Sequence, residues 1–170
     1  MNNVIRVAIA SLLCVTAVGC AKKTKPNVEP KRDDRPAAQS ERQDTSGRYT
    51  ESSLETDACL RQRVVYFDLD KTEIKSEFQA QISCHAAFLR QFPNYAVTLE
   101  GNADERGSRE YNLGLGERRG NAVQSALSSA GASGSQLNVV SYGEERPVCK
   151  EHGEGCWSKN RRVELVYSKK

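Results

Sequence analysis

The sequence predicts an α+β domain with the element order β-α-β-α-β-β, in which the helices cover one face of a mixed sheet. Two observations carry this prediction. Runs of β-branched and aromatic residues alternate with segments whose apolar residues recur at helical spacing. The residues able to form a core are also concentrated after residue 60, although 28% of the 170 residues are charged and only 6% are aromatic. A chain of this length has room for one such domain plus attached segments.

The N-terminal segment, residues 1–19, is typical of a secretory signal peptide. It has a cationic start at the amino terminus and Arg6, followed by an apolar run from Val7 to Val18. About a dozen residues span roughly 18 Å as a helix, well short of the roughly 30 Å hydrocarbon core of a bilayer. A permanent transmembrane helix is therefore the weaker alternative.

The signal segment ends in Ala17-Val18-Gly19-Cys20, which resembles the lipobox where exported lipoproteins are cut and acylated. Ala17 departs from the Leu that is usual three positions before the cysteine. We expect Cys20 to begin the mature chain and to carry lipid, since several acyl chains at about 0.8 kcal/mol per buried methylene give a stable anchor. Ala21, in place of Asp, implies sorting to the outer membrane by the same resemblance.

Residues 20–58 are predicted to form the lipidated cysteine and a disordered linker. From Ala21 to about Ser53 the chain is rich in Lys, Arg, Asp, Glu, Pro, Ser and Gln, with almost nothing to bury. About 35 such residues can reach several tens of ångströms, because an extended chain spans roughly 3.3 Å per residue. The globular domain is then expected over residues 59–170.

The first strand and the first helix of the domain follow the linker. Val64–Phe67 is a β-branched and aromatic run that ends in the turn-forming Asp68-Leu69-Asp70-Lys71. A helix comes next, with Ser76 and Gln79 as a possible capping box, and Pro93-Asn94 ends it. Its apolar residues near helical spacing are Ile74, Phe78, Ile82 and Leu89.

The second strand and the second helix flank a polar loop. Tyr95–Glu100 is predicted as a strand, and residues 101–108 form the loop. Ser108 can cap a helix that runs to about Ala130 and is closed by Gly131. The core stripe of this helix is Val123, Ala126, Leu127 and Ala130.

Two further strands complete the predicted sheet. Leu137–Tyr142 is the third strand and Arg162–Tyr167 is the last. Residues 143–156 between them are predicted as a long loop. Arg161 and Arg162 are expected to brace the last strand and not to touch a ligand.

Two opposite charges in the middle of the domain can border one cleft. Asp104 lies on a loop leaving a strand, and Arg119 belongs to a helix stripe, Asn112, Gly116, Arg119 and Val123, at spacings of four, three and four. The guanidinium can hold a carboxylate through two parallel hydrogen bonds while the aspartate takes an ammonium. The helix start also favours an anion nearby. The pair suits a ligand with both groups on one carbon; a plain surface salt bridge, worth about 0 to 1 kcal/mol, is the alternative.

The same block, EGNADERGSREYNLGLGERRGNAV, resembles the signature of OmpA-like peptidoglycan-binding domains. The runs YFDLDKTEI, VVSYGEERP and SKNRRVELVY resemble flanking blocks of the peptidoglycan-associated lipoprotein family, in the same order over about residues 62–168. The resemblance implies an OmpA-like fold and a lipoprotein that holds the cell wall non-covalently. The implied ligand is diaminopimelate, whose side chain ends in an ammonium and a carboxylate on one carbon.

The resemblance also implies site residues and partners. Asp104 and Arg119 are the principal pair, and four further residues align with family positions around the pocket: Asp70, Arg106, Asn112 and Leu115. The implied partners are peptidoglycan, the outer membrane through the lipid, and TolB with other proteins of the Tol system, in envelope integrity and cell division. The same face could serve the wall and TolB alternately. No cofactor is implied.

Four cysteines remain in the mature chain beside Cys20, and in an oxidising periplasm they allow three pairings. Our hypothesis joins Cys149 to Cys156 across a short loop, and Cys59 to Cys84, which ties the start of the domain to its first helix. A zinc site built from these cysteines with the two histidines would lack any CxxC pair.

Two other classes of function fit the sequence less well. A wall-modifying enzyme needs a nucleophile beside a base, a close carboxylate pair or a metal site, whereas Asp68 and Asp70 alternate along an extended segment and point to opposite faces. Nucleic-acid binding, suggested by a pI of about 8.5, conflicts with export and with basic residues interleaved among acidic ones. His85, His152 and Trp157 are expected to have structural roles.

Overall fold

The structure is a computed structural model that describes residues 48–170. The predicted signal peptide, Cys20 and most of the predicted linker lie outside the described residues. No helix within the described range is long and apolar enough to cross a membrane.

Four strands form one sheet. They are β1 (Val64–Tyr66), β2 (Tyr95–Asn102), β3 (Leu137–Gly143) and β4 (Arg162–Lys169). Their order across the sheet is β1-β4-β2-β3, with β4 antiparallel to both of its neighbours and β2 parallel to β3. The predicted mixed sheet and element order are confirmed, although a short helix also precedes β1 and another precedes β4.

The helices are α1 (Ser53–Thr56), α2 (Gln79–Gln91), α3 (Arg109–Ser129) and α4 (Glu154–Asn160). α3 begins where the sequence predicts, since the Ser108 hydroxyl accepts a hydrogen bond from the Tyr111 N–H at 3.2 Å. The prediction of a capping box at Ser76 is wrong. A 3₁₀ turn over Ser76–Phe78 leads into α2, and no side chain caps either helix start. α4 begins inside the segment that was predicted as a loop.

The core lies between the sheet and the two long helices. Side chains alternate between the two faces of a strand, so β2 and β4 turn every second residue toward α2 and α3. The buried residues of this layer include Val97, Leu99, Ile82, Leu89, Val123, Leu127, Val163 and Leu165. The other members of the predicted helix stripes pack at its edge: Ile74, Phe78, Ala126 and Ala130.

α3 crosses β2 with the two backbones almost in contact. A Cβ on Gly101 would overlap the Gly116 carbonyl oxygen, and a Cβ on Gly116 would overlap the Ser141 hydroxyl. Only glycine fits at both positions. This close crossing fixes the first half of α3 against the end of β2.

A second apolar cluster contains the segment that precedes β1. Tyr49 and Leu54 are buried in it together with Phe88 of α2. A disulfide between Cys59 and Cys84, with Cα atoms 6.3 Å apart, ties the segment to the same helix. The packed domain therefore begins near Tyr49, earlier than the predicted boundary at residue 59, because two isolated apolar residues in a polar run find a shared site on α2.

β2 runs from this second cluster to the opposite end of the domain. Tyr95 at its start packs against Phe88, with ring centroids 5.4 Å apart. Asn102 at its end leads into the polar loop before α3. At about 3.3 Å per residue, the strand separates these two ends by roughly 23 Å.

Candidate ligand-binding site

A cavity of about 290 Å³ opens where β2 ends and α3 begins. The structure brings all six residues of the predicted site to its wall: Asp70, Asp104, Arg106, Asn112, Leu115 and Arg119. Five more residues complete the lining: Leu69, Ala103, Gly107, Tyr111 and Arg161. The loop after β2 carries the Asp104 carboxylate, and the inward face of α3 carries the buried Arg119 guanidinium.

The Asp104 carboxylate is the acceptor of the cavity and is only 4% exposed. Arg106 donates to it through its backbone N–H at 3.1 Å, through Nε at 3.0 Å and through Nη2 at 2.7 Å. Arg161 Nη1 donates at 3.2 Å. Burial raises the pKa of Asp104, but the hydrogen bonds from Arg106 and Arg161 outweigh it and hold the pKa below its usual value. Asp104 is therefore ionised and already has two cationic partners.

Arg119 is completely buried, and its guanidinium is held by three backbone carbonyls. Nε donates to Lys71 at 2.9 Å, Nη1 to Asn102 at 2.9 Å and Nη2 to Asp68 at 3.0 Å. Burial, with the nearby Arg161 cation, lowers the pKa of Arg119 to about 10, so the side chain stays charged at neutral pH. The alternative of a surface salt bridge with Asp104 is wrong, because both side chains are buried and Asp104 pairs with Arg106 and Arg161.

Arg161 reaches the site, which corrects the expectation that it only braces the last strand. Its Nε does brace the backbone, donating to the Phe67 carbonyl at 3.0 Å. Its two terminal nitrogens bind Asp104 and Glu154. Arg162 behaves as predicted, since its Nε binds Glu164 of the same strand at 2.5 Å. Nothing in the local sequence distinguishes these adjacent arginines.

α4, which the sequence did not predict, contacts two of the lining arginines from outside the cavity. The Trp157 ring lies 4.1 Å from the Arg106 guanidinium, and its indole N–H donates to Glu105 at 2.7 Å. Glu154 lies 3.6 Å from Arg106 Nη2 and also binds Arg161, so it links the two cations that hold Asp104. The structure joins Cys149 to Cys156, with Cα atoms 5.0 Å apart, which closes the loop that carries Glu154.

Two other lining residues are positioned by contacts across the cavity. Asp70 has a positive φ of 56°, a conformation that is uncommon outside glycine, and accepts a hydrogen bond from the Tyr111 hydroxyl. The buried Asn112 amide donates to the Arg106 carbonyl at 3.1 Å and to the Glu144 carboxylate at 2.5 Å. Asn112 thus fixes the backbone of the loop that carries Asp104.

The histidines lie outside the cavity. His85 of α2 is buried and hydrogen-bonds with Gln62 and Tyr167. His152 lies on the surface and binds Glu105 at 2.6 Å. Within residues 48–170, no group of three or more His, Cys, Asp or Glu side chains is arranged to hold a metal ion.

Comparisons with known sequences point to one family. The OmpA family matches residues 66–161, more than half of the chain. The peptidoglycan-associated lipoprotein of Pasteurella multocida is 47% identical over 111 residues, which cover 65% of this chain and 74% of that protein. The protein of the same name from Pseudomonas putida is 41% identical over 165 residues, covering 93% of each chain. The match to the Rhizobium meliloti relative, 46% identical, spans only 58% of that protein.

Solved structures agree with the sequence comparisons. The crystal structure of the peptidoglycan-associated lipoprotein from Burkholderia pseudomallei has a TM-score of 0.68 and 41% identity, covering 69% of this chain and 100% of that one. The C-terminal domain of Helicobacter pylori MotB, 22% identical with a TM-score of 0.58 over 63% of this chain and 84% of that one, shares the fold alone. The chain therefore belongs to the OmpA family and, within it, to the peptidoglycan-associated lipoproteins.

Proposed function

We propose that this protein binds peptidoglycan without making or breaking a bond, by holding the zwitterionic end of a diaminopimelate side chain in the cavity between Asp104 and Arg119. The observation that carries the proposal is the pairing of a buried carboxylate with a buried guanidinium on the wall of one cavity of about 290 Å³. Such a cavity has room for one amino-acid end and not for a whole stem peptide.

The hydrogen-bonding capacity of the two groups supports this ligand. Arg119 uses three of its five N–H groups on backbone carbonyls, and two remain for a carboxylate. Asp104 accepts hydrogen bonds from the ligand's ammonium. The ammonium replaces some of the hydrogen bonds that Arg106 donates to Asp104. Arg106 is the exposed partner of the two, with 32% of its side chain accessible, so it can move without disturbing the core.

The charges of the cavity favour a ligand that brings a carboxylate. Three cations, Arg106, Arg119 and Arg161, line the cavity with two anions, Asp70 and Asp104, and the adjacent Glu154 binds Arg161, so the charges balance before the ligand enters. Burial strengthens each of these interactions, because the effective dielectric constant falls away from water. A cation without a carboxylate, such as a lysine side chain, would bring an unbalanced charge and is disfavoured.

Membership of the family supports a binding module and confirms the prediction that the protein is not an enzyme. Relatives named peptidoglycan-associated lipoproteins carry the same domain. We extend this to the whole chain as a proposal: lipid on Cys20 anchors the protein in the outer membrane, and the domain binds the wall from the periplasm. TolB and other Tol proteins are the proposed protein partners, in envelope integrity and cell division.

Sedimentation with purified sacculi tests the binding site. Wild-type protein should pellet with sacculi, and Asp104→Ala should remain in the supernatant because the ammonium loses its acceptor. Glu117→Ala, which removes an exposed carboxylate on the outer side of α3, is the matched control and should pellet like the wild type. Full sedimentation of folded Asp104→Ala protein would show that the wall binds elsewhere.

Two further measurements test the anchor and the protein partner. The intact mass of membrane-extracted protein should equal the chain from Cys20 with acyl groups and two disulfides. Soluble muropeptide should compete with purified TolB for the domain if both use the cavity face. An unacylated mass would contradict the anchor, and independent binding of the two would contradict a shared face.

A further inference from the structure

A second cavity, of about 370 Å³, lies on the other side of Arg161 from the proposed diaminopimelate site. Its lining includes Tyr66, Asp68, Lys75, Glu154, Lys159 and Arg161. Arg161 lines both cavities, so the two are separated by the thickness of one side chain. A ligand held in the first cavity can therefore place its neighbouring groups in the second.

The ion pairs within the second cavity leave one cation uncompensated. Lys75 binds Asp68 at 2.7 Å, and Glu154 binds Arg161. Lys159 lines the same cavity. Among the residues that the structure describes, none forms an ion pair or a hydrogen bond with the Lys159 side chain. Its ammonium is exposed and lies on α4, the helix whose other end carries Glu154. The cavity is therefore matched to one negative charge.

The shape of the cavity adds an apolar wall to this charge. The Tyr66 ring is 40% exposed at the edge strand β1, and it packs on Phe78 with ring centroids 6.4 Å apart. An exposed aromatic ring beside an unpaired ammonium suits a group with a short aliphatic part and a carboxylate. Peptidoglycan stem peptides provide such groups next to diaminopimelate: the α-carboxylate of γ-linked D-glutamate and the terminal carboxylate of D-alanine.

We propose that this second cavity is a carboxylate subsite, in which Lys159 binds a stem-peptide carboxylate adjacent to the diaminopimelate held at Asp104 and Arg119. The inference rests on the proposed function, because the diaminopimelate end places the peptide. The two carboxylates belong to the residues on either side of diaminopimelate, and an extended peptide advances about 3.3 to 3.6 Å per residue. With this subsite, the protein distinguishes stem peptides by the charge at this carboxylate, and stems in which the carboxylate is amidated bind less tightly.

Isothermal titration with matched ligands tests the subsite on the lipid-free chain that begins after Cys20. The ligands are diaminopimelate alone, the tripeptide with a free or an amidated D-glutamate α-carboxylate, and the tetrapeptide with a free or an amidated D-alanine carboxylate. Wild-type protein should prefer one free carboxylate by about two- to fivefold, the range for an exposed ion pair. The arm that shows the preference identifies which carboxylate is bound.

Lys159→Gln should abolish that preference and leave the affinity for diaminopimelate alone unchanged. Lys150→Gln, an exposed lysine on the preceding loop that does not line the cavity, removes the same charge and should keep the preference. The subsite is overturned if neither amidation weakens wild-type binding, or if Lys159→Gln keeps the full preference. Failure of diaminopimelate alone to bind, or binding that Asp104→Ala leaves intact, would instead reject the proposed function.

Discussion

Arg106 closes on Asp104 through two parallel hydrogen bonds, Nε to Oδ1 at 3.0 Å and Nη2 to Oδ2 at 2.7 Å. The carboxylate that we propose as the acceptor for the ligand's ammonium is thus occupied by a cation in the free protein. The same guanidinium lies 4.1 Å from the Trp157 ring centroid, a cation–π contact that exists together with the hydrogen bonds to Asp104. The proposed binding would then exchange one cation for another at a fixed carboxylate.

This relationship predicts the acid limit of wall binding. Burial raises the pKa of Asp104, and Arg106 is the first of the groups that lower it below its usual 3.8. Because a lowered carboxyl pKa keeps the group ionised until the pH falls through the folded-state pKa, wild-type binding should persist to below about pH 3.8. Arg106→Gln removes the main lowering influence, so the midpoint of its binding should move to higher pH.

Sacculus sedimentation over a pH series that starts at neutral pH and extends well below 3.8 measures both midpoints. His152→Gln removes a surface partner of Glu105 and should leave the midpoint where the wild type has it. An identical midpoint in Arg106→Gln would mean that another group limits binding in acid.

Arg119 has a structural role that is separate from ligand binding. Its three hydrogen bonds tie the Asp68–Lys71 turn and the end of β2 to α3. Arg119→Met would leave three carbonyls without this donor, and we expect the free energy of unfolding to fall by about 3 to 5 kcal/mol. Urea unfolding followed by circular dichroism measures this loss.

Arg119→Lys is the informative companion variant. The ammonium retains the charge but cannot reach three divergent carbonyls as a planar guanidinium does, so part of the loss should remain, roughly 1 to 3 kcal/mol. Wild-type stability in both variants would contradict the structural role. Because Asp104 is also buried and holds Arg161, loss of wall binding on changing either residue must be compared with the folded fraction of the variant.

The sequence placed the six predicted residues on one cavity wall, and it gave little indication of their bonding partners. Asp104 and Arg119 were placed on one cleft because a strand end and the face of a capped helix meet there. The sequence contains no signal for the roles of Arg161 or of the carbonyls around Arg119, since those contacts join segments that are remote along the chain. Local sequence patterns indicate where the site residues lie, and only the tertiary fold determines which groups bind one another.

α4 and the start of the domain were missed for a related reason. α4 has seven residues, follows Gly153 at a φ of 144°, and contains a further glycine, so no helical periodicity is visible. Its tertiary contacts through Glu154 and Trp157 hold it in place. Tyr49 and Leu54 are likewise single apolar residues in a polar segment, and only their shared cluster with α2 shows that they are part of the core.

The lowered pKa of buried His85 predicts that the protein loses stability in mild acid. Burial lowers the pKa of His85 to about 4 from 6.5, and the neutral ring accepts from the Tyr167 hydroxyl at 2.7 Å while donating to the Gln62 carbonyl at 2.9 Å. The unfolded chain takes up the proton first, so stability is complete above pH 6.5 and is lost as the pH falls toward 4. We expect a loss of about 3 kcal/mol across that window.

Urea unfolding at a series of pH values measures this loss. His85→Gln should be less stable at neutral pH and should show a flatter dependence between pH 4 and pH 6.5. His152, whose pKa Glu105 raises, is exposed, and His152→Gln should retain the wild-type slope. A steep slope in His85→Gln would assign the loss to other groups.

The two disulfides are expected to have different consequences. Removing Cys59–Cys84, with a sequence separation of 25, should lower stability by about 3 to 4 kcal/mol and leave the affinity for sacculi unchanged. Removing Cys149–Cys156, with a separation of 7, should lower stability by only about 2 to 3 kcal/mol but weaken binding several-fold, because the loop holds Glu154 and Trp157 beside Arg106.

Paired Cys→Ser variants, compared by thermal unfolding and by sacculus sedimentation at a temperature where both are folded, separate the two effects. Equal binding by the two variants would mean that α4 keeps its position without the disulfide.

The direction of β2 has a mechanical consequence. The described chain enters the domain at Tyr49, beside the start of this strand, and the proposed ligand is gripped beyond the strand's other end, roughly 23 Å away. A pull between the preceding segment and the wall would run lengthwise along β2, which is hydrogen-bonded on both sides, by β3 and β4. Tension applied in that direction loads both ladders in shear, so many hydrogen bonds resist together and none is peeled away alone.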